Sequence, residues 1–306
     1  MYDLKSRILI VDGSFSTGDA IRSRLKDAGF SNVFVWYGFE YSSLKRDIIN
    51  DFPNPDYIIF VGARSGGIRF NMEKPADLIS DNIFLNLEVM RLSLWSSVKK
   101  LIFFGASCMY PKNSPQPIRE EYLFNGPLEE TSRAYAMAKI FGYEMCRAYA
   151  KQYGVKSTVV VPATIYGPRL SFDADNSHVM SALIEKFYEA RKNNNKEVEV
   201  WGSGRARREF IYIDDLVHAL IFLLFNDSPQ LINVGTGYDI SINGLACEIK
   251  NNAGFGGQIK FNESRPEGVS RKLLDSSKIN GLGWNSVTSL SIGVYLAYKW
   301  FKENYD

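Results

Sequence analysis

Short runs of Val, Ile, Leu and Phe recur along the chain, each followed by a stretch of helical periodicity, and this alternation leaves few folds open. RILIV (Arg7–Val11), NVFVWY, YIIFVG (Tyr57–Gly62), KKLIFFGAS around Leu101 and STVVVPATIYG (Ser157–Gly167) lack the polar alternation of a half-exposed strand. A strand that is apolar on both faces needs cover on both faces, as in a parallel sheet between two helical layers. The intervening stretches supply the helices. TGDAIRSRLKDAG places Ile21 and Leu25 four apart and stops at Gly29, and a long helical pattern runs from Pro75 to Val98. The predicted class is α/β with a doubly wound parallel sheet, whose ligands bind beyond the carboxyl ends of the strands.

After Gly167 the pattern loosens through the polar loop GPRLSFDADNSHVM and the surface segment KNNNKEVEV. The reading divides the chain into a main domain over 1–169 and a region over 170–306 that is mainly a smaller lobe, with segments returning to the main sheet. A chain of 306 residues suits that division. The balance of 36 basic and 34 acidic residues, net +2, gives no electrostatic case for nucleic acid or a membrane surface. The longest apolar run, near Ala219–Phe225, is far short of a bilayer span. MYDLKSRILIV lacks the cleavage pattern of a secretory signal. Cys108, Cys146 and Cys247 are too few and too scattered for a disulfide framework or a zinc site, so no metal is expected and a reducing cytoplasm is the default.

Chemistry-bearing residues cluster just after the strands. In SRAYAMAKIFGYE, Tyr135 and Lys139 share a helix face, where an ammonium would lower the phenol's pKa and the tyrosine could exchange a proton with a carbonyl. The spacing also occurs by chance on many helices. Ser107 and Cys108 follow the strand at Leu101, and Cys108 reads either as a small hydrophobe or as an acid or base. His178 opens a helix from a polar stretch and is suited to proton transfer or to capping, whereas His218, in an apolar helix, reads as structural. Lys186, Trp201, Arg208, Arg271 and Lys272, from separate segments, could clamp a diphosphate and stack a base.

These pieces in this order resemble the extended short-chain dehydrogenase/reductase superfamily (the NAD-dependent epimerase/dehydratases), and within it the GDP-L-fucose synthase branch. The stretches that carry the resemblance are SGGIRFNMEKPADLISDN, SCMYPKNSPQPIREEYLFNGPLEETSRAYAMAKIFGYEMCRAYAKQYG, PATIYGP, NSHVMSALIEKF, VWGSGRARREFIYIDD, INVGTG and RPEGVSRKLLD. The resemblance implies a Rossmann-type domain with a C-terminal substrate lobe. It makes Tyr135 the acid and Lys139 its partner on the nicotinamide ribose, with Cys108 and His178 as the epimerisation pair. NADPH or NADH would lie along Gly13, Ser14, Phe15, Ser16, Thr17, Gly18, Gly62, Ala63, Gly105, Ala106, Lys139, Pro162 and Ile165. A GDP-linked keto sugar would meet Lys186, Trp201, Arg208 and Lys272, with Asn176 and Asn82 as lesser contacts. Helices near Ser80–Val98 and Thr131–Tyr153 would build a homodimeric four-helix bundle.

The chain departs from the resemblance at three places. Asp12 and Phe15 stand where the phosphate-binding turn has glycine, and Glu40 falls where NADP-binding members carry arginine. The position four before Tyr110, which would carry a catalytic Ser or Thr, is Ala106; Ser107 is one residue late and along a strand would face the other way, which loses one donor to the carbonyl unless the strand end bulges. The expectation is NAD(P)H-dependent C4 reduction of a GDP-linked 4-keto sugar of 6-deoxyhexose or heptose type, with C3/C5 epimerisation as an optional step. The alternatives are a 3,5-epimerase with a vestigial cofactor site and a non-catalytic nucleotide-sugar-binding subunit.

Overall fold

Each apolar run becomes a strand because burial of a Val, Ile or Phe side chain contributes about 1.5–3 kcal/mol, and only a covered sheet buries every residue of such a run. The computed structural model describes residues 2–13, 17–38, 52, 54–172, 179–265 and 268–305. Six strands form the main sheet: β1 (Ile8–Asp12), β2 (Val33–Trp36), β3 (Tyr57–Gly62), β4 (Lys100–Phe104), β5 (Ser157–Pro162) and β9 (Leu231–Val234). They lie in the order β2-β1-β3-β4-β5-β9 and every pair is parallel. The chain steps from β1 outward to β2 and then to β3 on β1's other side. This reversal opens a crevice at the carboxyl ends of β1 and β3. There the pairing runs Val11 to Phe60 and then Asp12 to Gly62, skipping Val61. Such a bulge re-aims the side chains beside it.

Among the described residues the helices are α1 (Gly18–Asp27), α2 (Ile68–Glu73), α3 (Pro75–Trp95), α4 (Arg133–Tyr153), α5 (Val179–Lys192), α6 (Ile213–Phe225), α7 (Ile242–Ala253), α8 (Ser277–Gly281) and α9 (Leu290–Asn304). Strand β4 shows both layers. Phe103 packs on α4, while Lys100 sends its Nζ to the Leu223 carbonyl of α6 at 2.6 Å. Residues an odd number apart on a strand point to opposite faces, so α4 and α6 cover opposite sides. Among the described residues no helix is long and apolar enough to cross a membrane.

STVVVPATIYG reads as one strand but forms two. The β5 ladder ends at Pro162, which has no N–H to donate. Thr164–Tyr166 then leaves the main sheet as β6 and pairs with β8 (Arg207–Tyr212). Strand β8 also pairs with β10 (Asp239–Ser241) and β12 (Arg271–Lys272), while β7 (Glu197–Trp201) pairs with β11 (Gln258–Asn262). Buried Glu209 on β8 joins these parts. Its carboxylate accepts N–H groups from Thr236 and Gly237, both at 2.7 Å, and from Leu274 at 2.8 Å. Burial pushes its pKa up while those three donors pull against it.

Helix α4 approaches the sheet closely because Gly142 has no side chain. A Cβ there would lie 2.1 Å from Phe103 Cζ. Alanine would gain up to about 1 kcal/mol of helix propensity, but displacing a ring in a packed core costs about 1–3 kcal/mol. Gly142→Ala is therefore expected to lower the thermal unfolding midpoint; an unchanged or raised midpoint would refute this close contact.

Candidate active site

Helix α4 carries Tyr135 and Lys139 one turn apart, and Lys139 is almost wholly buried. Its Nζ donates to the carbonyls of Phe104 at 2.8 Å and Val61 at 3.0 Å, at the carboxyl ends of β4 and β3. The ammonium also lies over the rings of Phe103 and Tyr135, at 5.4 and 5.6 Å. Gly62, with φ +144°, makes room for it, since a Cβ there would sit 2.8 Å from Nζ. Burial lowers the Lys139 pKa to about 8.

Tyr135 does not titrate as its spacing from Lys139 suggested. Burial, reinforced by nearby Cys108, raises its pKa instead. The lysine's charge is engaged by two carbonyls, and the low-dielectric surroundings penalise phenolate more than the ammonium favours it. The group is held as a proton donor.

A second correction concerns Ser107. Strand β4 ends at Phe104, Ala106 is extended, and Ser107–Met109 form a short 3-10 turn with Met109 N–H on the Ala106 carbonyl at 2.9 Å. Strand alternation therefore no longer applies at Ser107. Ser107 and Cys108 line one pocket together with Gln116, Glu129, Arg271 and Lys272. Burial raises the Cys108 pKa, opposed by the charges of Lys272 and Lys139. Lys272 is in turn lowered, first by burial, with Arg208 adding to the effect and Cys108 opposing it. Strand register explains this grouping, because β12 sets Lys272 beside Arg208 and Arg271 beside Arg207. Asp239 neutralises the outer pair, accepting from Arg207 at 2.8 Å and from Arg271.

The remaining predicted residues fall into two groups. On the lobe, Lys186 Nζ lies 5.5 Å over the Trp201 ring and donates to the Glu199 carbonyl at 3.3 Å. At the crevice, Gly13 N–H donates to the Gly62 carbonyl at 2.8 Å, and a Cβ on Gly13 would meet Gly38 O at 2.9 Å and Ala63 Cα at 3.0 Å. Gly105 packs as closely against Val161 and Met109, next to half-exposed Ala106. Pro162 closes β5 and Ile165 sits in β6, both partly buried. Thr17 and Gly18 N–H groups at the head of α1 are met by the buried carboxylate of Asp12, at 2.9 and 2.7 Å.

Asn82 is fully buried and takes a positioning place rather than a contact in the pocket. Its amide holds the loop after β3, accepting from Ala63 N–H at 3.2 Å and donating to the Arg64 and Leu78 carbonyls at 3.0 and 2.8 Å. Ser14, Phe15, Ser16, Glu40, Asn176 and His178 lie outside the described residues. Sequence reasoning missed Gln116, Glu129, Lys112 and Arg265. The first three line the Cys108 pocket, and Arg265 lies 5.1 Å over the Trp201 ring. The available signal was the long polar segment between β4 and α4, starting where ligands of such a sheet bind.

The NAD dependent epimerase/dehydratase family description matches residues 18–235. A probable GDP-L-fucose synthase 1 from Oryza sativa subsp. japonica is 40% identical over 99% of this chain and 94% of its own. The chain belongs to the NAD dependent epimerase/dehydratase family, on its GDP-L-fucose synthase branch. Solved members of similar shape include a GDP-6-OMe-4-keto-L-xylo-heptose reductase from Campylobacter jejuni, with TM-score 0.90, 32% identity and 99% of both chains covered. A GDP-mannoheptose C4 reductase from the same organism, with NADP bound, has TM-score 0.87, 33% identity and coverage of 99% and 100%. The family match begins at Gly18, downstream of Asp12.

The pocket's electrostatics give a direct check. Lys272→Met removes the larger of the two charges that favour the Cys108 thiolate, so alkylation of Cys108 by iodoacetamide should slow several-fold at pH 8. Peptide mass mapping separates it from exposed Cys247 and buried Cys146. An unchanged Cys108 rate would refute the coupling.

Proposed function

We propose that the chain reduces the C4 ketone of a GDP-linked 4-keto sugar, of 6-deoxyhexose or heptose type, in nucleotide-sugar biosynthesis. The observation that carries this reading is the protonated, partly buried Tyr135 beside Lys139 and the Ser107–Cys108 pocket. A dinucleotide suits the crevice where Gly13, Gly62 and Ala63 present backbone at close approach, and the buried carboxylate of Asp12 opposes it there. When bound, NADPH, or NADH as the alternative, would supply the hydride for C4.

Tyr135 gives its proton to the ketone oxygen as the hydride arrives, so the carbonyl becomes an alcohol and the phenolate is reprotonated from solvent. Ser107 supplies a second donor to that oxygen. Lys139 keeps a positive charge beside the developing phenolate and holds the ribose. Cys108 and His178 form the acid/base pair for inversion at C3 or C5, whose protons the C4 ketone acidifies. Lys186, Trp201, Arg208, Lys272 and Asn176 hold the GDP portion, charges on the diphosphate and the indole on the base. Exposed Phe84 on α3 and Met137 and Phe141 on α4 suit a homodimer built on these two helices.

Purified protein mixed with NADPH and a GDP-4-keto sugar is expected to consume absorbance at the nicotinamide band, and no oxidation with either nicotinamide would overturn the reading. Tyr135→Phe should cut the rate by about 10²–10⁴-fold with NADPH binding retained. The pH profile follows from Lys139. It is charged below about 8 and neutral above, so kcat/KM should fall as pH rises through that value, with Tyr135 still protonated. A profile flat from pH 7 to 9 would remove Lys139's charge from the mechanism. Phe141→Glu is expected to convert the dimer to monomer in light scattering; a monomeric wild type would exclude the proposed interface.

A further inference from the structure

The head of α1 is already occupied by an anion of the protein's own. Asp12 ends β1, and its carboxylate is completely buried. Its Oδ2 accepts the N–H groups of Thr17 at 2.9 Å and Gly18 at 2.7 Å. The bulge between β1 and β3 falls at this residue, and Gly18 is needed to admit the carboxylate, because a Cβ on Gly18 would lie 3.1 Å from Oδ2. A helix N-terminus at the mouth of a strand-end crevice offers N–H groups and a partial positive charge to a phosphate. Here those two donors are bonded and the partial charge faces a full negative one.

We propose that Asp12 is a built-in competitor of the cofactor's pyrophosphate, setting the dinucleotide's affinity by holding the Thr17 and Gly18 N–H groups. The inference rests on the cofactor reading above. A diphosphate entering the crevice either displaces the carboxylate from both donors or lies beside it against like-charge repulsion. The cost falls on ligands that carry phosphate and spares the nucleoside portion. The dinucleotide therefore draws less affinity from the head of α1 than it would without the carboxylate.

Binding measurements test this without turnover. Asp12→Asn keeps an oxygen for the α1 donors and removes the charge, and Asp12→Ser does the same with a smaller capping side chain. Dissociation constants for NADPH, ADP and adenosine are measured by calorimetry on wild type and both variants, with thermal melts reporting folding. Either folded variant is expected to bind NADPH and ADP about tenfold more tightly, with adenosine unchanged. Equal or weaker NADPH binding in a folded variant overturns the role of Asp12 while leaving the reductase reading standing. A parallel change for adenosine also overturns it, since a structural effect would move all three ligands. Absence of NADPH binding in wild type and both variants overturns the cofactor reading itself, and the inference with it.

Discussion

The buried ammonium of Lys139 is the contact on which the site depends. It bonds carbonyls at the carboxyl ends of two neighbouring strands, Val61 of β3 and Phe104 of β4, and so ties helix α4 to the sheet. Tyr135, one turn earlier, and the 3-10 turn at Ser107–Met109 take their places from that anchor. A buried amine without acceptors would be a severe penalty; two carbonyls make it tolerable. Burial accounts for the pairing of a lysine lowered to about 8 with a tyrosine raised above its ordinary value. Both groups respond first to the same loss of water.

Much of the main sheet was legible from residues alone. Ile8–Val11, Tyr57–Gly62 and Leu101–Phe104 are apolar on both faces, and burial on both faces is a property that a short run declares by itself. The lobe was less legible because its strands are short and polar. Strand β12 is only Arg271–Lys272, and its place beside β8 depends on register with residues far away in sequence. Misreadings at the site had the same origin. Ser107 looked misplaced because strand alternation was carried past Phe104, where the strand stops. Tyr135 looked acidified because helical spacing gives a neighbour but not the dielectric around it. Gln116 escaped notice because its partner, the Leu273 N–H, belongs to another part of the chain. Asn82 was in the right neighbourhood with the wrong task, since amide bonding to three backbone groups cannot be read from an isolated asparagine.

Family membership and local chemistry point the same way without being interchangeable. Full-length similarity to GDP-L-fucose synthases and to heptose C4 reductases brackets the substrate by its nucleotide and its ketone. The fold alone would be compatible with many chemistries. What narrows the choice is the pocket in which Ser107, Cys108 and Lys272 meet, with Glu129 tempering the surrounding positive charge. The crevice and the pocket are separate problems. The first concerns holding a dinucleotide against Asp12, and the second concerns proton traffic around a carbonyl.

The placement of β9 has a consequence for how the chain is made. On the side away from β4, Val159, Val160 and Val161 of β5 find their parallel neighbours in Leu231–Asn233. During synthesis on the ribosome, the first five strands of the sheet emerge before that partner exists. A nascent sheet complete through β5 therefore presents an open apolar edge while the whole of α5, β7, β8 and α6 is still being translated. The interval is a window for mispairing with another chain, one that closes only when β9 takes its place beside β5.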